Sequence, residues 1–279
     1  MATRRSIAAF SALLALGLLF GASQSNAAKP ITKLKFDPKA EKLEFFDAIK
    51  DGNIDVKMIP KNAMGGNLLI ANKTDKPISV KVPDAFVGVH VLKQFGGGGL
   101  QGGGGQLGGG GGGQTQGGGG QQGGGLGQGG GQGFFSIPPE KTVKYPYKGV
   151  CLEHGKKDPM PNMKYEIRPV ETFSKDPVLR QVLVMLSSGR VDSKAAQAAA
   201  WNLSNKMGWR QLATKQVPHL GGRPSTPFFT RNQILWGQNL VAAAKIRAEE
   251  EAARKDGTPA EKPKTTPART RTGARVSLR

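Results

Sequence analysis

The chain has 279 residues, with 40 Lys and Arg against 20 Asp and Glu, three His and one Cys, for a formal net charge of +20 at pH 7. A single Cys excludes an intramolecular disulfide framework and any Cys-rich zinc or iron–sulfur site. Three His argue against a His-rich metal site, and no cofactor is expected.

Residues 1–28 read as a secretory signal peptide. Arg4 and Arg5 supply the positive start, and Ile7–Phe20 runs 14 residues without a charge. Ala27 and Ala28 offer the small residue a signal peptidase needs, so cleavage is expected after one or the other. The apolar run is short for a bilayer span, which takes about 20 residues. The expected location is secreted, periplasmic or cell-surface. Cleavage removes two Arg and leaves a charge of +18. Outside the cytoplasm such a charge attracts an anionic polysaccharide, a wall polymer or a membrane surface. Nucleic acid is the equivalent partner inside the cell, and the signal segment argues against it.

From residue 29 to 175 the pattern is β. Ile54–Ile59 and Ile78–Val82 alternate apolar and polar residues, and Asn67–Ala71 is a short apolar run. Val87–Leu92, Phe135–Ile137 and Thr142–Tyr147 are further strand candidates, and Asn72–Pro77 and Pro138-Pro139 are turns. A short helix is expected around Lys42–Lys50. Short strands separated by Gly, Pro and Asn predict a β-sandwich. Between 96 and 133 lies an insert of 38 residues, 26 of them Gly and eight Gln. It is expected to be a disordered loop between two strands, either a tolerated expansion or a surface for self-association. It lacks the Arg and aromatic residues of RNA-binding Gly tracts, and the Lys and Ser or Thr of a phosphate-binding loop.

Residues 176–256 turn helical. Asp176 caps a helix with Leu179, Val182, Leu183 and Leu186 on one face, and Gly189 stops it. Asp192 opens a second, Ala-rich helix to about Lys206, and a short one follows around Trp209–Thr214. Thr230 and Gln233 match a capping box at the start of a long helix to about Asp256. Residues 257–279 form a basic tail with Lys262, Lys264, Arg269, Arg271, Arg275 and Arg279 against Glu261. Its composition predicts disorder, and its charge suits an electrostatic tether.

The fold class predicted is therefore α+β: a β-sandwich with a Gly/Gln-rich disordered loop, then a small helical domain and a disordered basic tail. The Asn72–Pro77 turn followed by an alternating strand resembles the immunoglobulin-like domains of exported bacterial proteins. That resemblance implies an immunoglobulin-like sandwich and a structural or adhesive role.

Cys151 is the residue where chemistry is expected first, and three readings stand side by side. It is a buried structural thiol, or a nucleophile or metal ligand paired with His154, or a thioester sulfur. The third rests on Gln197-Ala198-Ala199-Ala200-Trp201, which resembles the Gln-x-Ala-apolar-Trp motif of thioester domains in bacterial surface adhesins. The resemblance implies that Val150-Cys151-Leu152 holds the sulfur and Gln197 donates the acyl group. No Ser/His/Asp arrangement forms from His90, His154 and His219, which lie in separate segments. The function expected is an exported, non-enzymatic structural or adhesive protein that binds an anionic envelope or matrix component and has no specific small-molecule substrate. Covalent attachment through Cys151 and Gln197 is the alternative, and nucleic-acid binding follows only if the signal segment is not used.

Overall fold

The computed structural model describes residues 29–91, 113–120 and 133–256. The expected signal peptide, most of the Gly/Gln insert and all six basic residues of the tail lie outside the described residues. In chain order the elements are β1 (Glu41–Leu43), α1 (Phe45–Lys50), β2 (Ile54–Asn62), β3 (Gly65–Asn72), β4 (Ile78–Val80) and β5 (Phe86–His90). Then come β6 (Gln116–Gly120), β7 (Phe135–Ile137), β8 (Thr142–Cys151), β9 (Tyr165–Arg168), α2 (Pro177–Ser187) and α3 (Ser193–Ser204). The last described elements are α4 (Trp209–Ala213), β10 (Gln216–Val217), β11 (Thr226–Pro227) and α5 (Arg231–Lys255).

The immunoglobulin-like sandwich is not what forms. Six antiparallel strands close into a barrel in the order β2-β3-β8-β6-β5-β9. Two strands that the alternation pattern did not supply account for the difference. β9 pairs with β5 and meets β2 at Met58↔Tyr165. β6 pairs with β5 on one side and β8 on the other. With both in place the main sheet has no free edge, whereas a sandwich keeps two sheets with open edges. A small sheet, β1-β4-β7, lies beside the barrel, with β1 parallel to β4. Met58, Leu68, Ile70, Phe86, Val143 and Tyr145 belong to one apolar cluster shared by the barrel and this sheet.

β6 lies inside the Gly/Gln insert, so residues 116–120 are not the loop expected there. All five are buried. The strand works because it has almost no side chains. A Cβ on Gly117 would lie 2.8 Å from a Leu183 methyl on α2, and one on Gly119 would lie 2.0 Å from the Asp84 carbonyl oxygen. Glycine lets the helix rest directly on the strand backbone. Gln116 is the one large side chain. Its Nε2 donates to the carbonyls of Asn62 and Ala63, each at 3.0 Å, and its Oε1 accepts from the Tyr147 hydroxyl at 2.7 Å.

The helical layer follows its sequence signals. The Asp176 side chain accepts from Val178 N, and Asp192 accepts from Ala195 N. Thr230 and Gln233 complete a capping box, which satisfies two of the amides a helix start leaves unpaired. α2 and α3 pack on the barrel and α5 packs on α2 and α3, through one cluster that joins Val87, Val150 and Leu152 to Leu179, Leu183, Ala196 and Leu240. The barrel and helices thus share a core. Gly237 lets α5 approach α3, where a Cβ would come within 3.0 Å of the Ala195 carbonyl oxygen. No helix among the described residues is long and apolar enough to cross a membrane.

Candidate functional site

Five chain segments converge where β8 ends against the helical layer. β8 delivers Cys151, and the chain after it carries His154 and Asp158. α3 contributes Lys194, Gln197 and Trp201. Lys215 follows α4, and Phe228 and Phe229 lead into α5. The i, i+3, i+7 spacing of Lys194, Gln197 and Trp201 puts all three on one face of α3.

The structure brings Cys151 and Gln197 together through the Cys151 backbone. Cys151 N donates to Gln197 Oε1 at 2.8 Å, and Gln197 Nε2 donates to the Cys151 carbonyl at 2.7 Å. The carboxamide acts as one more rung on β8, satisfying a buried donor and acceptor at once. The thiol faces Asp158 instead, with Sγ 4.0 Å from Oδ1. Burial, and then the Asp158 charge, push the thiol pKa up to about 12. A thiol so placed stays protonated at neutral pH and is a poor nucleophile. His154 interacts with Lys215 and Trp201 rather than forming a catalytic pair with the sulfur: its Nε2 lies 2.9 Å from Lys215 Nζ, and its ring packs edge-on against Trp201 with centroids 4.7 Å apart. Among the described residues no group of three or more His, Cys, Asp or Glu could hold a metal ion.

Around Trp201 the arrangement is cationic and aromatic. Trp201 is 5% exposed and touches Phe228 and Phe229 at 5.4 and 5.9 Å between centroids. Lys194 Nζ stands 3.6 Å from the Phe228 ring centre, and Lys215 Nζ stands 5.3 Å from Phe228 and 5.5 Å from Trp201. Ring faces attract such cations, but they do not neutralise them. Among the described residues neither ammonium has a carboxylate within 4 Å. Burial lowers the Lys194 pKa, Lys215 lowers it further, and Asp158 and Asp192 act against both. Burial and then Lys215 hold His154 below the usual histidine range. Two half-buried ammoniums thus repel each other beside a neutral imidazole.

Two buried polar atoms at the same corner have no partner among the described residues. One is Trp201 Nε1, a donor. The other is Gln114 Oε1, whose amide nitrogen donates to Asp158 Oδ1 at 2.9 Å and to the Lys156 carbonyl at 2.8 Å. Unsatisfied buried atoms are rare in folded proteins and call for an explanation.

A cleft of about 320 Å³ elsewhere, lined by Phe46, Phe134, Asp84 and Arg180, differs in kind. Arg180 there already pairs with Glu171 at 3.2 Å and Glu251 at 2.9 Å. Its charge is spent within the fold.

The thiol and the Gln were found from their motif. Lys194, Lys215, Phe228 and the Trp201 donor were not singled out as a binding group. They are spread over 35 residues, and each looks like an ordinary surface or core residue in its own segment. Comparison of the chain with protein-family models, with curated proteins and with solved structures gave no match.

Proposed function

We propose that this is an exported, non-enzymatic protein that binds an anionic component of an envelope or matrix, and that the anion seats on Lys194 and Lys215. The carrying observation is the pair of half-buried ammoniums over Trp201 and Phe228 with no carboxylate in ion-pair reach. An acidic group placed between them relieves their repulsion and gains charge-assisted hydrogen bonds. Trp201 Nε1 adds a neutral donor at the same corner. The net charge of +18 left after cleavage draws polyanions in from a distance, and the six basic residues of the tail contribute to that attraction. The two cations favour an acidic sugar, whose carboxylate meets them both.

The test is a binding titration of the mature chain with polygalacturonate, with phosphatidylglycerol vesicles and with duplex DNA, at 50 and 200 mM salt. Polygalacturonate is expected to bind, and to bind less at the higher salt. Lys194→Met and Lys215→Met are each expected to weaken that binding about tenfold, the worth of one hydrogen bond to a charged group. Lys57→Met and Lys144→Met remove the same charge from strand positions and are expected to change it far less. Equal loss in all four variants would reduce the reading to net charge alone. Tighter binding to duplex DNA would favour nucleic acid.

A further inference from the structure

The strand that closes the barrel is the one least attached to it along the chain. Its ladder partners are far away in sequence: Gln116 pairs with Gly88 and with Cys151, and Gly118 pairs with Phe86 and Gly149. Twenty-one residues separate Gly113 from Val91, and twelve separate Gly120 from Gly133. Connections of twenty-one and twelve residues are longer than a hairpin loop of about two to five residues. Its hold on the barrel is therefore the groove itself.

That groove reads a short linear pattern. Gly113 N donates to His90 Nδ1 at 3.1 Å, and a Cβ there would lie 2.9 Å from Met163 Sδ. Gln114 reaches Asp158 and the Lys156 carbonyl, and Gln116 reaches Asn62, Ala63 and Tyr147. Four residues without side chains follow, between the Asp84 carbonyl, Leu183 and Ser187. Main-chain ladders give a strand its affinity, and the pockets beside it give specificity. Every copy of the chain carries both the groove and a segment that fits it.

We propose that two copies of this chain exchange β6 reciprocally, each completing the other's barrel. The exchange keeps every contact of the closed monomer, so neither form gains ladder bonds over the other. The equilibrium is then set by the effective concentration of the tethered strand, about millimolar for a short tether. The twelve- and twenty-one-residue connections reach at most about 40 and 70 Å when extended, enough to cross to an adjacent barrel. Separation requires a barrel to open, so a dimer once formed persists on dilution.

The experiment mixes two differently tagged copies of the chain, unfolds them together and refolds them at about 1 µM and about 1 mM, on either side of the tethered value. Native mass spectrometry then counts mixed dimers. At least about tenfold more mixed dimer is expected at the higher concentration, and it should survive return to the lower one. Two variants identify the element exchanged. Gly119→Val puts a side chain against the Asp84 carbonyl and spoils the strand but not the groove. Gly149→Val crowds Gln116, which a Cβ would meet at 3.0 Å, and spoils the groove but not the strand. Refolded together, the two are expected to give a heterodimer with one complete barrel, which neither gives alone. Wild-type chains that remain monomeric at 1 mM would overturn the proposal. So would dimers of Gly119→Val alone at the wild-type yield, because these would need another interface. If neither variant folds, the wild-type mixing still decides.

Discussion

β6 and the Trp201 corner both adjoin β8, and they use space in opposite ways. At β6 nearly every side chain has been removed, and what remains is paired: Gln116 satisfies three separate groups. At the Trp201 corner rings and long side chains crowd together, yet among the described residues two ammoniums have no carboxylate within 4 Å and an indole N–H has no partner. The first arrangement spends its residues on closing the fold. The second leaves free energy unclaimed within the fold, as binding sites commonly do. Unsatisfied groups in one place and full satisfaction in the other distinguish the proposed site from the architecture around it.

The largest effect that tests this contrast is expected at Gly119. Gly119→Val drives a branched side chain into the Asp84 carbonyl, which already stands 2.0 Å from an ideal Cβ. Overpacking costs about 1–3 kcal/mol where neighbours can yield. Backbone yields least, so a loss at or above the top of that range is expected in urea titration. A loss below 1 kcal/mol would mean that β6 does not hold the barrel shut.

A smaller effect is expected at Gln197. Gln197→Leu leaves the Cys151 N–H and carbonyl buried and unpaired, at about 1–3 kcal/mol for such a group. The thiol reports the same event. Its pKa is raised above the ordinary value of 9.0 to about 12. The stabilisation it contributes is therefore complete below pH 9 and is lost as pH rises through about 12. At pH 8 the parent should alkylate only as fast as the region opens, and Gln197→Leu should alkylate faster. Intact mass of the parent separates the two uses of Gln197. The full sequence mass marks the free carboxamide seen here, and a mass lower by one ammonia marks the thioester, which would give up both backbone bonds.

The smallest effect on stability is expected at Lys194. Its ammonium is disfavoured by burial and by Lys215. Lys194→Met should leave the unfolding midpoint unchanged or slightly raised, within about 0.5 kcal/mol of the parent. A clear loss of stability would make the corner architectural and erase the contrast with β6.

The helical layer was legible because caps and apolar stripes are local signals. Asp176, Asp192 and the Thr230–Gln233 box each act within four residues. β2, β3, β4, β5, β7 and β8 were legible from alternation or short apolar runs. β6 was not, because glycine has no side chain to alternate and is depleted in strands. The Tyr-Glu-Ile-Arg run of β9 does alternate, but it is only four residues long and follows a stretch rich in turn residues. Missing these two strands turned a barrel into a sandwich. At the candidate site the motif singled out Cys151 and Gln197, and spacing could not say that they meet through the backbone. The Lys194–Lys215 pair depends on where α4 and β11 return in space, which no local pattern encodes.

The buried stretch in the Gly/Gln tract divides it into parts under unequal constraint. Lengthening either connection is cheap, since doubling a loop costs only about 0.6 kcal/mol. One residue inserted between Gln114 and Gln116 separates the two side chains by an extra step, so Gln114 cannot keep its bonds to Asp158 and Lys156 while Gln116 keeps its bond to Tyr147. Repeat expansions and contractions in this gene should therefore accumulate on both sides of residues 113–120 and spare their reading frame of side chains, so that a tract free to drift in size keeps one invariant word.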